Sequence, residues 1–224
     1  VAGHSWSKGL RVLELASGQV VAEFPLKPLR YTDCAFLPGG RQLISGTEDT
    51  TLAIWSLESN VAAEAGKDLE TLWTDMGGGS FPAAIDALVA RGDAAIAFLK
   101  DRLGAKPDER EIARILETIA SKDGDARKGA VTELVEVGGD AEAPLDRAIE
   151  AERDANRREG LVQAREELLA PIVKSPATLR RLRAQAVLER IGSADARAIL
   201  KSLSESAPSR RERFEASLAL KRLK

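Results

Sequence analysis

The sequence predicts a mixed fold of two separate parts: antiparallel strands over residues 1–57 and an α-helical repeat over 81–224, joined across 58–80 by a linker with a short helix. Three observations predict it. Short apolar runs in the first part are cut by Gly, Pro and Asp turns, the punctuation of a β meander. After residue 68, apolar residues recur at i, i+3, i+4 and i+7, the spacing of one helix face. A motif, Ala-x-x-x-Leu-x-x-x-Gly, also returns three times in the second part.

The first strand run, Leu10 to Leu15, leads through the turn Ala16-Ser17-Gly18-Gln19 into the second, Val20 to Phe24. Pro25 and Pro28 confine the connection after it to a loop, because proline cannot donate to a ladder. Tyr31 to Leu37, the turn Pro38-Gly39-Gly40, Gln42 to Gly46, the polar corner Thr47 to Thr50, and Thr51 to Leu57 complete the part.

The stretch from Tyr31-Thr32-Asp33-Cys34-Ala35-Phe36 through Ser45-Gly46, Asp49 and Thr51 to Ile54-Trp55 resembles a blade of a WD-repeat β-propeller. Trp55-Ser56 stands where that family has Trp-Asp. Leu13-Glu14 stands in the matching place 42 residues upstream, inside the ~40–45 of one blade. The resemblance implies a side-chain network in which Ser45, Asp49 and Trp55 take part. The family's Gly-His pair is missing, with Leu26-Lys27 in its place, and Gly3-His4 falls at a turn before a third strand. About one and a half blades are then expected, against the ~4 that a closed propeller needs. Val1 is therefore expected to lie inside a blade, and the sheet to keep open edges that invite another chain.

In the second part, Leu69, Leu72, Trp73 and Met76 form one helical stripe, and Ile112, Ile115, Leu116 and Ile119 another. Ser175-Pro176 and the pair Asp108 with Glu111 are helix-start signals. Pro82 and Pro208 suit first turns. The repeated motif falls at Ala84/Leu88/Gly92, Ala130/Leu134/Gly138 and Ala184/Leu188/Gly192. In each copy Ala admits a close neighbour, Leu is buried, and Gly takes the left-handed conformation that ends a helix. Asp93, Asp140 and Ser193 are expected to cap the next helix, in which Leu99, Leu145 and Leu200 are buried. Each copy is thus expected to be an antiparallel hairpin. Spacings of 46 and 54 residues, near the ~40–47 of HEAT units, predict HEAT-like nesting of the three, with helices from Ile112–Ile119 and Leu161–Ile172 between them. Residues 69–224 are similar to the helical tail that follows the propeller in some large bacterial WD-repeat proteins. Leu72-Trp73-Thr74-Asp75 and Leu188 to Gly192 carry that likeness.

Composition bounds the function. With 44% hydrophobic but only 4% aromatic residues, the cores must be aliphatic. No run approaches the ~20 apolar residues of a membrane span, and the opening Val1-Ala2-Gly3-His4 lacks a signal-peptide pattern. Residues 58–149 carry 11 basic against 19 acidic side chains, whereas 150–224 carry 17 against 11. Solvated helix faces account for both.

Candidate chemistry is sparse. His4 is the single histidine and has no second His or Cys partner, so ligation and general-base work are not expected. Cys34 has no base in view and reads as a small core residue. Gly77-Gly78-Gly79-Ser80 lacks the Lys-Ser/Thr ending of a P-loop and a preceding strand; it reads as a flexible helix break. Glu109, Glu111 and Glu117 are interleaved with Arg, as on a solvated helix.

No catalytic residue, cofactor or metal is expected. The basic cluster Arg180, Arg181, Arg183, Arg190, Arg197 and Lys201 is the candidate interaction surface, continued by Arg210, Arg211, Arg213, Lys221, Arg222 and Lys224. The expectation is a non-catalytic protein–protein interaction scaffold with protein partners, no membrane and no small-molecule substrate, in a soluble and cytoplasmic setting. Nucleic-acid or polyanion binding by the basic helices is the alternative; only Phe214 is there to stack on a base, and Glu189, Glu205, Glu212 and Glu215 dilute the charge. A further alternative is the accessory tail of a larger signalling enzyme.

Overall fold

A computed structural model describes residues 2–6, 9–25, 31–59, 61–105, 108–121 and 123–223. Two antiparallel three-stranded sheets come first: β1 (Ala2–Trp6), β2 (Gly9–Leu13) and β3 (Val20–Pro25), then β4 (Tyr31–Phe36), β5 (Gln42–Thr47) and β6 (Leu52–Ser56). The strand runs read from the sequence are therefore present, and the described residues up to 57 are strands and turns with no helix. Two positions differ from expectation. His4 is not in a turn but inside β1, opposite Arg11, and Pro25 ends β3 opposite Gly9 rather than opening a loop. The spacing of turns missed β1 because Gly3-His4 resembles punctuation and carries no apolar alternation. Leu26, Lys27 and Pro28 lie outside the described residues.

Leu10 and Val12 of one sheet and Leu43 of the other are wholly buried against each other. The rings of Phe24 and Trp55 close this core with centroids 4.8 Å apart. Trp55 Nε1 donates to Ser45 Oγ at 2.8 Å. Asp49 turns instead to its own corner, accepting from the hydroxyls of Thr47 at 2.5 Å and Thr51 at 2.7 Å. The three residues grouped by the sequence therefore form two local sets. Asp49 satisfies the tight turn that holds Thr50 at φ +67°, a left-handed position costly for a β-branched residue.

The helices are α1 (Leu69–Asp75), α2 (Phe81–Ala90), α3 (Asp93–Gly104), α4 (Glu109–Ala120), α5 (Gly124–Val137), α6 (Glu142–Ala151), α7 (Ala155–Leu168), α8 (Pro176–Ile191), α9 (Ala194–Ser206) and α10 (Arg210–Arg222). None is long and apolar enough to cross a membrane among the described residues. Local signals act as their chemistry requires at several starts. Asp108 accepts from Arg110 and Glu111 amides, and Ser175 from the Thr178 amide ahead of Pro176. All three motif glycines have positive φ, at +52°, +76° and +64° for Gly92, Gly138 and Gly192. The motif's Ala and Leu residues, with Leu99, Leu145 and Leu200, are buried.

The capping expectation holds at Ser193, which accepts from the Ala196 amide, but not at the other two sites. Asp93 is already the first helical residue, with Gly92 as cap, and Asp140 sits in a 3-10 turn at Gly138–Ala141. The chain enters α3 one residue sooner than the spacing suggests, whereas the 3-10 turn delays the start of α6 to Glu142. Pro208 likewise precedes the cap Ser209 rather than joining the first turn of α10.

The nesting departs further from expectation. The first and third hairpins, α2–α3 and α8–α9, share one core with α1 and α10. The second, α5–α6, belongs to a separate core with α4 and α7, built on Ile112, Ile115, Ile119, Leu134, Leu145 and Leu161. The hairpins do not stack in chain order, as a solenoid's repeats do. A four-helix unit is set between α3 and α8. The segment 58–80 is not merely a linker either, because Leu72 and Met76 are wholly buried in the first core.

Candidate interaction site at the joint of strands and helices

One buried side chain makes many of the polar contacts between the two parts. Arg183 on α8 is 2% exposed. Its Nε and Nη2 donate to Glu14 Oε1 at 2.9 Å and Oε2 at 2.5 Å, and Nη2 also donates to Gln19 Oε1 at 3.0 Å. Nη1 donates to the Met76 carbonyl at 2.5 Å and the Gly78 carbonyl at 3.3 Å. The guanidinium lies 3.5 Å over the Phe81 ring. The planar fork thus fastens the end of β2, the Gly77–Ser80 turn and α8 together, which a lysine's point charge cannot do. A backbone bond from Val173 N–H to Ala16 C=O at 2.8 Å reinforces the joint, and Ser59 N–H donates to the Asp86 carboxylate Oδ2 at 2.9 Å. The glycine turn is therefore a docking point for Arg183 rather than a free break.

Beside the joint, α2, α8 and α10 and the strand part enclose a cleft of about 570 Å³. Phe81, Ile85 and Leu218 give it apolar walls. Three ion pairs line it: Arg190 Nη1 with Asp86 at 2.5 Å, Arg222 with Glu189 at 2.5 Å, and Arg41 with Glu58 at 3.9 Å. Gln185 lines it while 2% exposed, and neither its Oε1 nor its Nε2 has a hydrogen-bond partner among the described residues.

The six basic residues expected to share a surface are separated by the fold. Arg183 is the buried joint. Arg181 is buried too, its Nε 3.0 Å from both Glu212 oxygens and its Nη2 3.3 Å from the Leu103 carbonyl. Arg180 is half-buried over the Trp73 ring, and Arg190 is held by Asp86. Only Arg197 and Lys201 are exposed. A charge count along the chain cannot distinguish an arginine facing water from one facing a buried carboxylate, and here the tertiary contacts recruit them inward.

Arg181 also gathers acids that the sequence scattered. Glu212 is fully buried, and burial pushes its carboxyl above the ordinary range against the pull of Arg181. Asp140 is raised by burial as well, and its Oδ1 has no partner among the described residues. Glu142 accepts from Ser209 Oγ at 2.7 Å and the Arg210 amide at 2.9 Å, closing the start of α10. Asp140 and Arg181 line one part of a groove of about 900 Å³ between α3 and α9, floored by Ile96, Ile199 and Leu203. Glu212, shielded behind Arg181, reaches no solvent.

Cys34 packs against the Leu10–Val12–Leu43 core, and burial together with the charge of Asp33 pushes its thiol up, away from the reactive thiolate. Among the described residues no group of three His, Cys, Asp or Glu side chains is placed to hold a metal ion. Sequence reasoning overlooked Glu14, Asp86 and Gln185. A signal existed for the last, since Gln185 falls on the α8 stripe defined by Arg181, Ala184 and Leu188 at i−4, i−1 and i+3. Comparisons with protein-family models, curated proteins and solved structures found no match for this chain.

Proposed function

We propose that this chain is a protein-interaction scaffold, in which a propeller-like strand part and an α-helical part are held as one body and the open sheet edge receives a partner strand. The observation that carries it is the edge of β6, unpaired among the described residues. Leu57 N–H bonds to Arg41 C=O and Thr47 N–H to Thr51 C=O. With that phase, antiparallel alternation sends the amides of Ala53 and Trp55 toward β5 and those of Leu52, Ile54 and Ser56 outward. Strand β6 ends its sheet, and Leu52 and Ile54 are 71% and 61% exposed. Two outward aliphatic residues on an unpaired edge suit strand addition, in which main-chain bonds supply affinity. They are also the kind of edge that proteins ordinarily blunt with charge or proline.

The test uses the chain's own tendency to pair. Light scattering should show concentration-dependent association of the wild type, lost in Ile54→Lys. Hydrogen exchange at Leu52, Ile54 and Ser56 should slow as association grows, while Ala53 and Trp55 stay protected throughout. A monodisperse monomer at all concentrations, with all five amides equally protected, would sink the proposal.

A further inference from the structure

We infer that the groove between α3 and α9 receives a short amphipathic helix of a protein partner, aliphatic along one face and basic at its ends, a site independent of the β6 edge. Each wall of the groove is one helical stripe. On α3, Asp93, Ile96, Lys100 and Leu103 fall at i, i+3, i+7 and i+10. On α9, Asp195, Ile199, Ser202 and Ser206 fall at i, i+4, i+7 and i+11. Both stripes run nearly the length of their helices, ~16 Å or about three turns. The two walls also share a direction. Arg181 reaches the Leu103 carbonyl in the last turn of α3 and Glu212 in the first turn of α10, the helix that follows α9. The walls therefore end together at Arg181, and Asp93 and Asp195 stand at the opposite end.

A trough between two helices that run side by side is the surface on which the ridge of a third helix packs. Ala97 and Ala198 on its rim are exposed and small enough to let another backbone approach. Backbone groups along α3 and α9 are bonded within each helix, so an extended peptide would find no main-chain partners there, whereas a helix satisfies its own. Charge then selects among helices. Asp93, Asp140 and Asp195 line the groove against Lys100 and Arg181, and Arg181 is already held by Glu212. Asp93 and Asp195 have no ion pair among the described residues. The balance is negative at both ends, which favours basic residues on the incoming helix and disfavours a phosphate.

Titrating the whole isotope-labelled chain with an acetylated, amidated peptide of about three helical turns, Leu along one face and Lys at its ends, tests this against the same peptide carrying Glu for Lys. The Ile96, Ile199 and Leu203 methyls should shift saturably with the Lys peptide. The Glu peptide should bind about tenfold more weakly at low salt, a gap that narrows as salt is added. Ala198→Gln should abolish the shifts without moving the melting temperature, and Ala97→Gln on the facing rim should do the same. Asp195→Asn should weaken the Lys peptide alone. The inference fails if neither peptide moves these methyls, if both bind equally, or if the shifts persist in the two rim variants. Shifts at Leu52 and Ile54 in place of the groove would assign the peptide to the β6 edge and overturn it as well. Should one rim variant not fold, the other decides; loss of the fold in both would show that the rim is packed within the protein, and the inference falls.

Discussion

Arg183 and Glu14, 169 positions apart in the chain, form a two-pronged ion pair at 2.9 and 2.5 Å that ties the first sheet to the helical core. The arginine is buried and the carboxylate largely so, with a side chain 16% exposed. Removing one partner of such a pair leaves the other desolvated and uncompensated.

Arg183→Met should therefore cost about 3–5 kcal/mol in urea unfolding, more than Glu14→Gln, because the Met76 and Gly78 carbonyls also lose their donor. The strand amides should become exchange-labile before the helical ones. A single transition with unchanged midpoint in Arg183→Met would show that the joint does not couple the two parts.

The acids around Arg181 set a pH dependence whose sign is fixed by burial. Glu212 and Asp140 are held above their ordinary values of 4.5 and 3.8 in the folded chain. Below those values both states are protonated. As pH rises past them the unfolded chain ionises first, so stability falls until the raised folded values are passed. Urea midpoints measured upward from pH 4 should fall for the wild type relative to Asp140→Asn over that window, because the variant lacks one such group and a like charge near Glu212. Parallel pH profiles for the wild type and Asp140→Asn would contradict the assignment.

Two motif glycines distinguish strain from steric fit. Gly192 at φ +64° has room, its nearest neighbours to an added Cβ being Leu223 at 3.4 Å and the Glu189 carbonyl at 3.5 Å. Gly192→Ala should cost about 1–2 kcal/mol from backbone strain alone. At Gly138, φ is +76° and an added Cβ meets Thr178 Oγ1 at 2.0 Å and Ser175 Oγ at 2.9 Å. Gly138→Ala should be clearly worse, since it also pushes α8 away from α5 and breaks the Gly139 N–H bond to Thr178 Oγ1 at 3.2 Å. Equal losses in thermal unfolding would refute the close approach.

Ser45→Ala should cost about 1–3 kcal/mol, because it removes the acceptor of the Trp55 indole N–H inside the sheet core, where Ser45 is 1% exposed. Trp55→Phe in the Ser45→Ala background should then add less than it does alone, a coupling readable in a double-mutant cycle.

Local chemistry alone decided much of this protein. Turn residues between apolar runs placed five of the six strands, and Gly92, Gly138 and Gly192 marked helix ends because only a residue without Cβ enters that region freely. Burial of Leu88, Leu134 and Leu188 followed from their spacing on one helix face. Tertiary structure decided which buried stripe meets which. Aliphatic stripes are chemically alike, so the motif could not tell that α2–α3 packs with α8–α9 while α5–α6 turns to α4 and α7. It also decided which arginines face inward. Arg183 and Arg197 carry the same charge, and only the three-dimensional approach of Glu14 makes one a buried joint while the other stays in water.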